Sequence, residues 1–201
     1  MPGNILVSTA YLAPVEYFSL LSKADEVFIE ANENYIKQSY RNRCYILSTH
    51  GPQLLSVPVY LGSIHKTSLK DIRIDYSKRW QQVHLRALKA SYSSSPYYQF
   101  YFEDIELIIS KRTDYLIDLN MELLESLLKM LKLKPRISYT THFEPEGRSE
   151  TDYRYMISPK KKSSFLEKEY LQVFSDGGKF VPGLSIVDLI FNLGPEAVEY
   201  L

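Results

Sequence analysis

The stretch that most constrains the fold runs from Trp80 to Tyr101, WQQVHLRALKASYSSSPYYQFY. On a helical wheel its first thirteen residues gather the apolar side chains on one broad arc, while Gln82, Arg86 and Lys89 lie opposite. The residue before a proline avoids the α region, so Ser95-Pro96 marks the end of the helix. The stretch therefore predicts a helix packed into a core and followed at once by a turn carrying aromatic residues.

His84 lies near the centre of the apolar arc of this helix. A buried histidine must find hydrogen-bond partners or give up its charge. Two interpretations are open: a packing histidine satisfied by the core, or a general base, which typically contributes about 10² to 10⁴ in rate. The turn at Pro96 would let Tyr97 or Tyr98 reach the same pocket. We therefore take His84 as the candidate catalytic residue and both tyrosines as candidate binding residues.

The balance of charge limits the class of partner, because the chain has 24 basic and 24 acidic residues. A chain with no net charge is not built mainly to hold nucleic acid or an anionic membrane. Its 17 tyrosines suit a polar pocket, although a tyrosine-rich core or a homodimer surface explains the same count. We expect a small-molecule partner, no nucleic acid, and leave a homodimer open.

Cysteine usage and hydropathy indicate the compartment. The single cysteine, Cys44, excludes an internal disulfide and fits a reducing environment. No basic N-terminal region leads into an apolar signal core, and no apolar run is long enough to span a bilayer. We expect a cytoplasmic protein without a membrane span, and its 201 residues are predicted to form one domain, 1–201.

The N-terminal part predicts a βαβ unit. Residues 5–7 and 27–29 are short apolar runs that read as buried strands, and a helix with Pro14 in its first turn separates them. Ligands of parallel sheets bind beyond the carboxyl ends of the strands, which makes Tyr11 a candidate binding residue. Glu30 and Glu33 lie at the second strand end as weaker acid–base candidates. No glycine-rich phosphate loop follows the first strand, so a dinucleotide fingerprint is excluded.

Residues 40–60 predict a β-hairpin that presents two arginines. In a strand, Arg41 and Arg43 would point to the same face about 7 Å apart, where they could hold a phosphate or a carboxylate. Asn42 and Cys44 would then face inward. A solvated or ion-paired edge strand is the alternative. Arg41, Asn42 and Arg43 are therefore candidate binding residues.

The remaining pattern completes the predicted architecture. Ile72 and Ile74 alternate with charged residues as in a half-buried strand, and residues 118–133 carry a leucine stripe that predicts a core helix. Residues 137–143 predict a strand with His142, a candidate binding residue, on its polar face near the carboxyl end. Residues 144–164 predict a charged, exposed loop, and residues 165–174 a helix. The fold class is thus α/β, a mixed sheet that starts with a βαβ unit and a hairpin and is packed by several helices.

Metal chemistry is not indicated. The four histidines lie far apart in the sequence, without the spacing of metal ligands, so we expect no metal site. The sequence names no cofactor.

Several segments together resemble one protein family. They are STAYLAPVEYF, ENYIKQSYRNRCYIL, the run from Asp75 to Tyr101, LIDLN and GLSIVDLIFNLGPEA, and they are similar to the WbqC-like protein family over nearly the whole chain. Many members open with Gln-Pro-x-Tyr-Leu-Pro, which departs here to Tyr11-Leu12-Ala13-Pro14. The residues that match the family pattern are Tyr11, Leu12, Asn42, Arg43 and His84.

The resemblance implies a role in bacterial O-antigen or other surface-polysaccharide biosynthesis. One expected activity is acyl or aminoacyl transfer to an amino sugar, with a nucleotide sugar or an acyl donor as substrate. The alternative is a protein without chemistry that binds a glycan intermediate or a protein partner. Geometry should separate them: an enzyme would open His84 to a pocket that Arg43 also lines, whereas a binding protein would seal His84 in the core.

Overall fold

The fold is described from a computed structural model that covers residues 3–60, 67–145, 151–161, 163–175 and 179–201. This part of the chain contains five strands and five α-helices. In chain order they are β1 (Asn4–Ser8), α1 (Val15–Leu21), β2 (Glu26–Glu30), β3 (Arg43–Ser48), β4 (Gly51–Ser56), α2 (Trp80–Tyr92), α3 (Tyr98–Ser110), α4 (Leu116–Met130), β5 (Arg136–Tyr139) and α5 (Ile186–Leu193).

The strands form a parallel sheet and a separate hairpin. The sheet has the order β1-β2-β5, and both of its pairings are parallel. Strands β3 and β4 pair antiparallel, with Cys44 opposite Leu55. Val27 and Ile29 of the central strand are fully buried, as expected for a strand covered on its core face. The predicted α/β class, with its βαβ unit and hairpin, is confirmed.

The helices arise from local signals that the sequence carries. Helix α2 spans the residues predicted from the wheel and ends before Ser95-Pro96. In α4 the leucine stripe Leu119, Leu123 and Leu127 is buried, which confirms it as core. The hydroxyl of Ser185 caps α5 by accepting a hydrogen bond from the Val187 amide. Over the described ranges no helix is both long and apolar enough to cross a membrane.

The charged segment after β5 is not exposed throughout, which corrects the prediction for residues 144–164. Residues 151–153 run parallel to β1: the Leu6 amide donates to the Thr151 carbonyl at 2.9 Å, and the Tyr153 amide donates to the Leu6 carbonyl at 2.8 Å. Arg154 is only 2% exposed. Pairing with β1 and burial of the guanidinium override the polar composition. Positions 146–150 and 162 of this predicted loop lie outside the described residues.

Two further local predictions were wrong. Ile72 and Ile74 are buried as expected, but Ile74 forms an isolated bridge to Val59 rather than part of a strand. Residues 165–174 form neither a helix nor a strand, and residues 173–174 form a turn. The Tyr170 hydroxyl and the Gln172 amide both donate to Asp188 Oδ2, at 2.7 and 3.1 Å. Side chains two residues apart can meet one carboxylate from an extended chain, whereas a helix would point them apart.

Gly194 supplies a testable constraint at the end of α5. Its φ of 55° and ψ of −124° suit glycine alone, and an added Cβ would collide with the ring of Tyr97. Gly51 also has a positive φ, 94°, but nothing within 4 Å of the corresponding position. Backbone strain of this kind costs about 1–3 kcal/mol.

We predict that Gly194→Ala lowers the free energy of unfolding by clearly more than Gly51→Ala, because only the first variant adds a steric collision to the strain. Urea unfolding of both variants and the wild type measures the difference. Equal losses in the two variants would contradict the packing of Tyr97 described here.

Candidate functional site

His84 is almost completely buried. It is 3% exposed, and its Nδ1 lies 2.8 Å from the hydroxyl of Tyr11, which is fully buried. Burial lowers the pKa of His84 to about 4, and a backbone hydrogen bond with Ser56 opposes this shift only in part. Burial also raises the pKa of Tyr11 well above its usual value, so the hydroxyl keeps its proton and donates it to Nδ1. The imidazole is therefore neutral and has partners on both nitrogens.

A cavity of about 300 Å³ lies beside His84. Its wall combines residues 53–56 of β4 with the start of α2, including Lys78, Arg79 and Trp80. Arg43 is not among the residues that line it. His84 lines this cavity but Arg43 does not, so only half of the geometry expected for an enzyme, with both residues on one pocket, is present.

A second cavity of about 190 Å³ adjoins the first by sharing Lys78 and Arg79. It adds Arg112 and Tyr76, and no acidic residue lines either cavity among the residues the structure describes. We call the two cavities together the basic groove, defined by Tyr76, Lys78, Arg79, Trp80, His84 and Arg112.

The N-terminus of α2 lies at this groove, because its first residue, Trp80, is part of the lining. No side chain caps this helix end, and its first turn contains no acidic residue. The first amides of an α-helix have no partner within the helix and carry a partial positive charge. Trp80 is 4% exposed, and its Nε1 has no hydrogen-bond partner among the described residues. Sequence reasoning missed this feature, although Lys78-Arg79 directly before a helix without early acidic residues was a local signal.

Arg41 does not share a strand face with Arg43, which corrects the predicted pair. Residues Tyr40–Asn42 form a 3₁₀ turn, and β3 begins only at Arg43. The Arg41 guanidinium is 4% exposed and binds Glu33 through Nε at 2.8 Å and Nη2 at 2.7 Å, while Nη2 also donates to the Ser8 hydroxyl. Since Glu33 already neutralises it, Arg41 is an internal ion-pair partner.

Asn42 and Arg43 lie at the start of the hairpin. Asn42 is buried, as predicted, and its Nδ2 donates to the Val57 carbonyl at 2.8 Å. Arg43 is half-buried, and its Nε has no partner among the described residues. The structure thus gives Asn42 a role in holding the hairpin. The proposed anion site at Arg43 stays a prediction.

Arg154 is a buried charged residue that sequence reasoning missed. Its guanidinium donates to Glu30 Oε2 at 2.9 Å and to both carboxylate oxygens of Asp152, at 2.9 and 2.6 Å. Burial opposes ionisation of Asp152, but the hydrogen bonds from Arg154 outweigh it and lower the pKa of that carboxyl. No local pattern marks Arg154, because Glu30 is 124 positions away in the chain.

Tyr97 and Tyr98 belong to the packing after α2 rather than to the pocket of His84. The Tyr98 ring stacks on Phe102 with centroids 4.6 Å apart and is 7% exposed. The Tyr97 amide donates to the Phe191 carbonyl at 3.0 Å, and its ring packs on Gly194. Neither tyrosine lines the basic groove.

His142 lies at a different cavity, of about 380 Å³, which we call the strand-end cavity. It is lined by residues of β1, β2 and β5, by residues 140–142 and Glu144 after β5, and by Thr151. His142 Nδ1 lies 3.0 Å from the Thr141 hydroxyl, and Nε2 lies 3.3 Å from Glu144 Oε1. In the described residues no group of three or more His, Cys, Asp or Glu could hold a metal ion.

The neutral state of His84 gives a testable pH dependence. Its pKa is about 4 in the folded chain against 6.5 in an unfolded one, so between these values the unfolded chain binds a proton that the folded chain does not. Stability is therefore full above about pH 6.5 and falls as the pH drops toward 4, by about 3 kcal/mol for this group at most.

We predict that His84→Gln flattens the fall in the free energy of unfolding between neutral pH and pH 4. Urea unfolding across this range measures it for the wild type, His84→Gln and, as control, His50→Gln at an exposed turn. If His84→Gln and His50→Gln follow the same pH profile, the burial of a neutral His84 is refuted.

Comparison with known proteins agrees with the segments noted in the sequence. The model of the WbqC-like protein family matches residues 9–166 and 157–200. The Mycobacterium tuberculosis protein named "Uncharacterized protein Rv1507c" is 26% identical over 225 residues, covering 98% of this chain and 96% of that protein. No solved structure matches the chain significantly. Because the family match spans the groove, the strand ends and α5, the chain belongs to the WbqC-like protein family.

Proposed function

We propose that the protein is a transferase of bacterial surface-polysaccharide biosynthesis that binds a phosphate-bearing donor in the basic groove. The donor is an acyl-coenzyme A, which transfers an acyl or aminoacyl group to the amine of an amino sugar and leaves as coenzyme A, or a nucleotide sugar, which transfers its sugar and leaves as a nucleoside diphosphate. The supporting observation is one cationic concavity at an uncapped helix N-terminus.

The charges of the groove favour phosphate. Lys78 and Arg79 belong to both cavities, Arg112 lines one of them, and the described lining contains no carboxylate. Helix N-termini bind phosphate through free amides and the helix dipole, and arginine forms paired hydrogen bonds to phosphate oxygens. A diphosphate, common to both donor classes, would satisfy these groups.

Aromatic rings beside the cations support a nucleotide. The Arg112 guanidinium lies over the Tyr76 ring at 5.1 Å, and the Tyr76 and Trp80 ring centroids are 6.0 Å apart. Trp80 is buried, so the half-buried ring of Tyr76 is the apolar surface on which a planar base can stack.

The biological role follows from what family membership implies rather than from the groove. The resemblance to WbqC-like proteins implies surface-polysaccharide clusters, and both donor classes named above are used to build and modify such glycans. His84 receives a positioning role in this proposal, because both of its nitrogens are engaged and its pKa is about 4. Acting as a general base would require it to release the Tyr11 hydroxyl.

We predict that Arg79→Gln weakens binding of uridine diphosphate and of coenzyme A by about tenfold, because a charged hydrogen bond to phosphate contributes about 1.5–3 kcal/mol. Isothermal titration calorimetry at low and high salt measures the loss, and the wild-type affinity should fall with salt. Arg86→Gln is the matched control, since Arg86 lies on the exposed side of the same helix.

Equal affinity of Arg79→Gln and Arg86→Gln for both ligands would refute the donor site. The variant His84→Gln tests the role of His84. If His84 only positions other residues, the variant should bind both ligands more weakly and have a lower melting temperature. Lost turnover at unchanged stability and affinity would restore His84 as the catalytic residue.

A second candidate function, binding of a glycan intermediate or a protein partner without chemistry, is favoured by the burial of His84 and by its hydrogen bonds to Tyr11 and the Ser56 backbone. Mass spectrometry separates the two. The protein incubated with an acyl-coenzyme A and an amino sugar should yield the acylated sugar if it is a transferase. Donor binding without any product supports the binding protein instead.

A further inference from the structure

The strand-end cavity shares no lining residue with the basic groove. We propose that it is a second binding site, for a ring-bearing ligand that carries a protonated amine and no phosphate. This site goes beyond the donor site and does not depend on it, because its chemistry is different.

The floor of the cavity is an incompletely covered face of the parallel sheet. Leu6 and Phe28 are paired in register on β1 and β2 and are half-buried, whereas their neighbours Val7 and Ile29 on the other face are at most 1% exposed. Parallel sheets are normally covered on both faces. A volume of about 380 Å³ over apolar side chains therefore has the size and character of a small-molecule site.

The charge of the described lining disfavours phosphate. Two acidic residues and no lysine or arginine line it among the described residues. Glu30 is fully buried and already accepts hydrogen bonds from the Asn32 amide, the Thr140 hydroxyl and Arg154, at 2.8, 2.8 and 2.9 Å. An anionic ligand would meet negative charge and no paired donor.

Glu144 is the carboxylate that a ligand can reach. Its side chain is 51% exposed, and its contact is His142 Nε2 at 3.3 Å. A protonated amine would form a charged hydrogen bond here, which is stronger than a bond between neutral groups. The cavity thus selects for a single positive charge.

The remaining wall suits a ring with hydroxyl groups. The Thr141 hydroxyl contacts His142 Nδ1 at 3.0 Å and keeps a lone pair that can accept a hydrogen bond from a ligand hydroxyl. The rings of Phe28 and Tyr139, which also line the cavity, offer apolar surface to the face of the ligand. Apolar contact from one side and hydroxyl recognition from the other is the chemistry of an aminated sugar ring or a similar cyclic amine.

The test compares three sugars that differ in charge: glucosamine, glucose and glucuronate. Amide shifts in NMR spectra of the full chain report binding, at a pH below the pKa of the glucosamine amine. We predict the affinity order glucosamine, glucose, glucuronate, with shifts at Leu6, Phe28 and residues 139–144.

Glu144→Gln should lower the affinity for glucosamine about three- to fivefold, the range of an exposed ion pair, and leave glucose unchanged. Glu103→Gln is the matched control, because it removes one exposed carboxylate from α3, away from the cavity. Because the Glu144 side chain is exposed, we expect Glu144→Gln to fold like the wild type, and the melting temperature of the variant checks this.

The proposal is overturned by no binding of glucosamine, by glucuronate binding at least as tightly, or by equal effects of Glu144→Gln and Glu103→Gln. The proposal of a donor site in the basic groove is tested separately, by titrating Arg79→Gln with uridine diphosphate. Glucosamine shifts confined to Lys78, Arg79 and Trp80 would assign the amine to the basic groove and overturn the strand-end site.

Discussion

The buried guanidinium of Arg154 is the interaction on which the carboxyl-end side of the sheet depends. It joins Glu30, at the end of the central strand, to Asp152 in the segment beside β1. Removing one partner of a buried ion pair leaves an uncompensated charge that costs several kcal/mol. The Arg41–Glu33 pair repeats this arrangement, and the Ser8 hydroxyl contacts both Glu33 and the Arg154 carbonyl. One polar network thus fixes strand ends that apolar contacts alone would leave free to shift.

The charge of the basic groove depends on the protonation state of the buried His84. Because Tyr11 and the Ser56 backbone satisfy a neutral imidazole, His84 adds no charge to the groove. The positive potential then comes from Lys78, Arg79 and the end of α2. The charge of the groove therefore comes from other residues than the hydrogen bonds that hold His84 in place.

Local signals predicted much of the fold, and contacts between distant segments decided the rest. The apolar arc and the proline at position 96 predicted the extent of α2. The two short apolar runs on either side of one helix predicted the parallel pairing of β1 and β2. The burial of His84 followed from the wheel, whereas its partner Tyr11, 73 positions away, did not. The Arg41–Arg43 pair failed because a 3₁₀ turn precedes β3. The prediction of a helix at 165–174 was wrong because Tyr170 and Gln172 both donate hydrogen bonds to Asp188, a residue of α5 that the local pattern does not reveal.

The pairing of residues 151–153 with Leu6 has a consequence for biosynthesis of the chain. The outer edge of β1 is covered by a segment whose contact with Ser8 spans 146 positions. A strand edge with free amides and carbonyls can pair with other chains, and contacts between distant segments form late. A nascent chain that has released β1 and β2 but not yet Arg154 therefore carries an open sheet edge and an unpaired Glu30. Most of the protein must leave the ribosome before the edge of its first strand is protected.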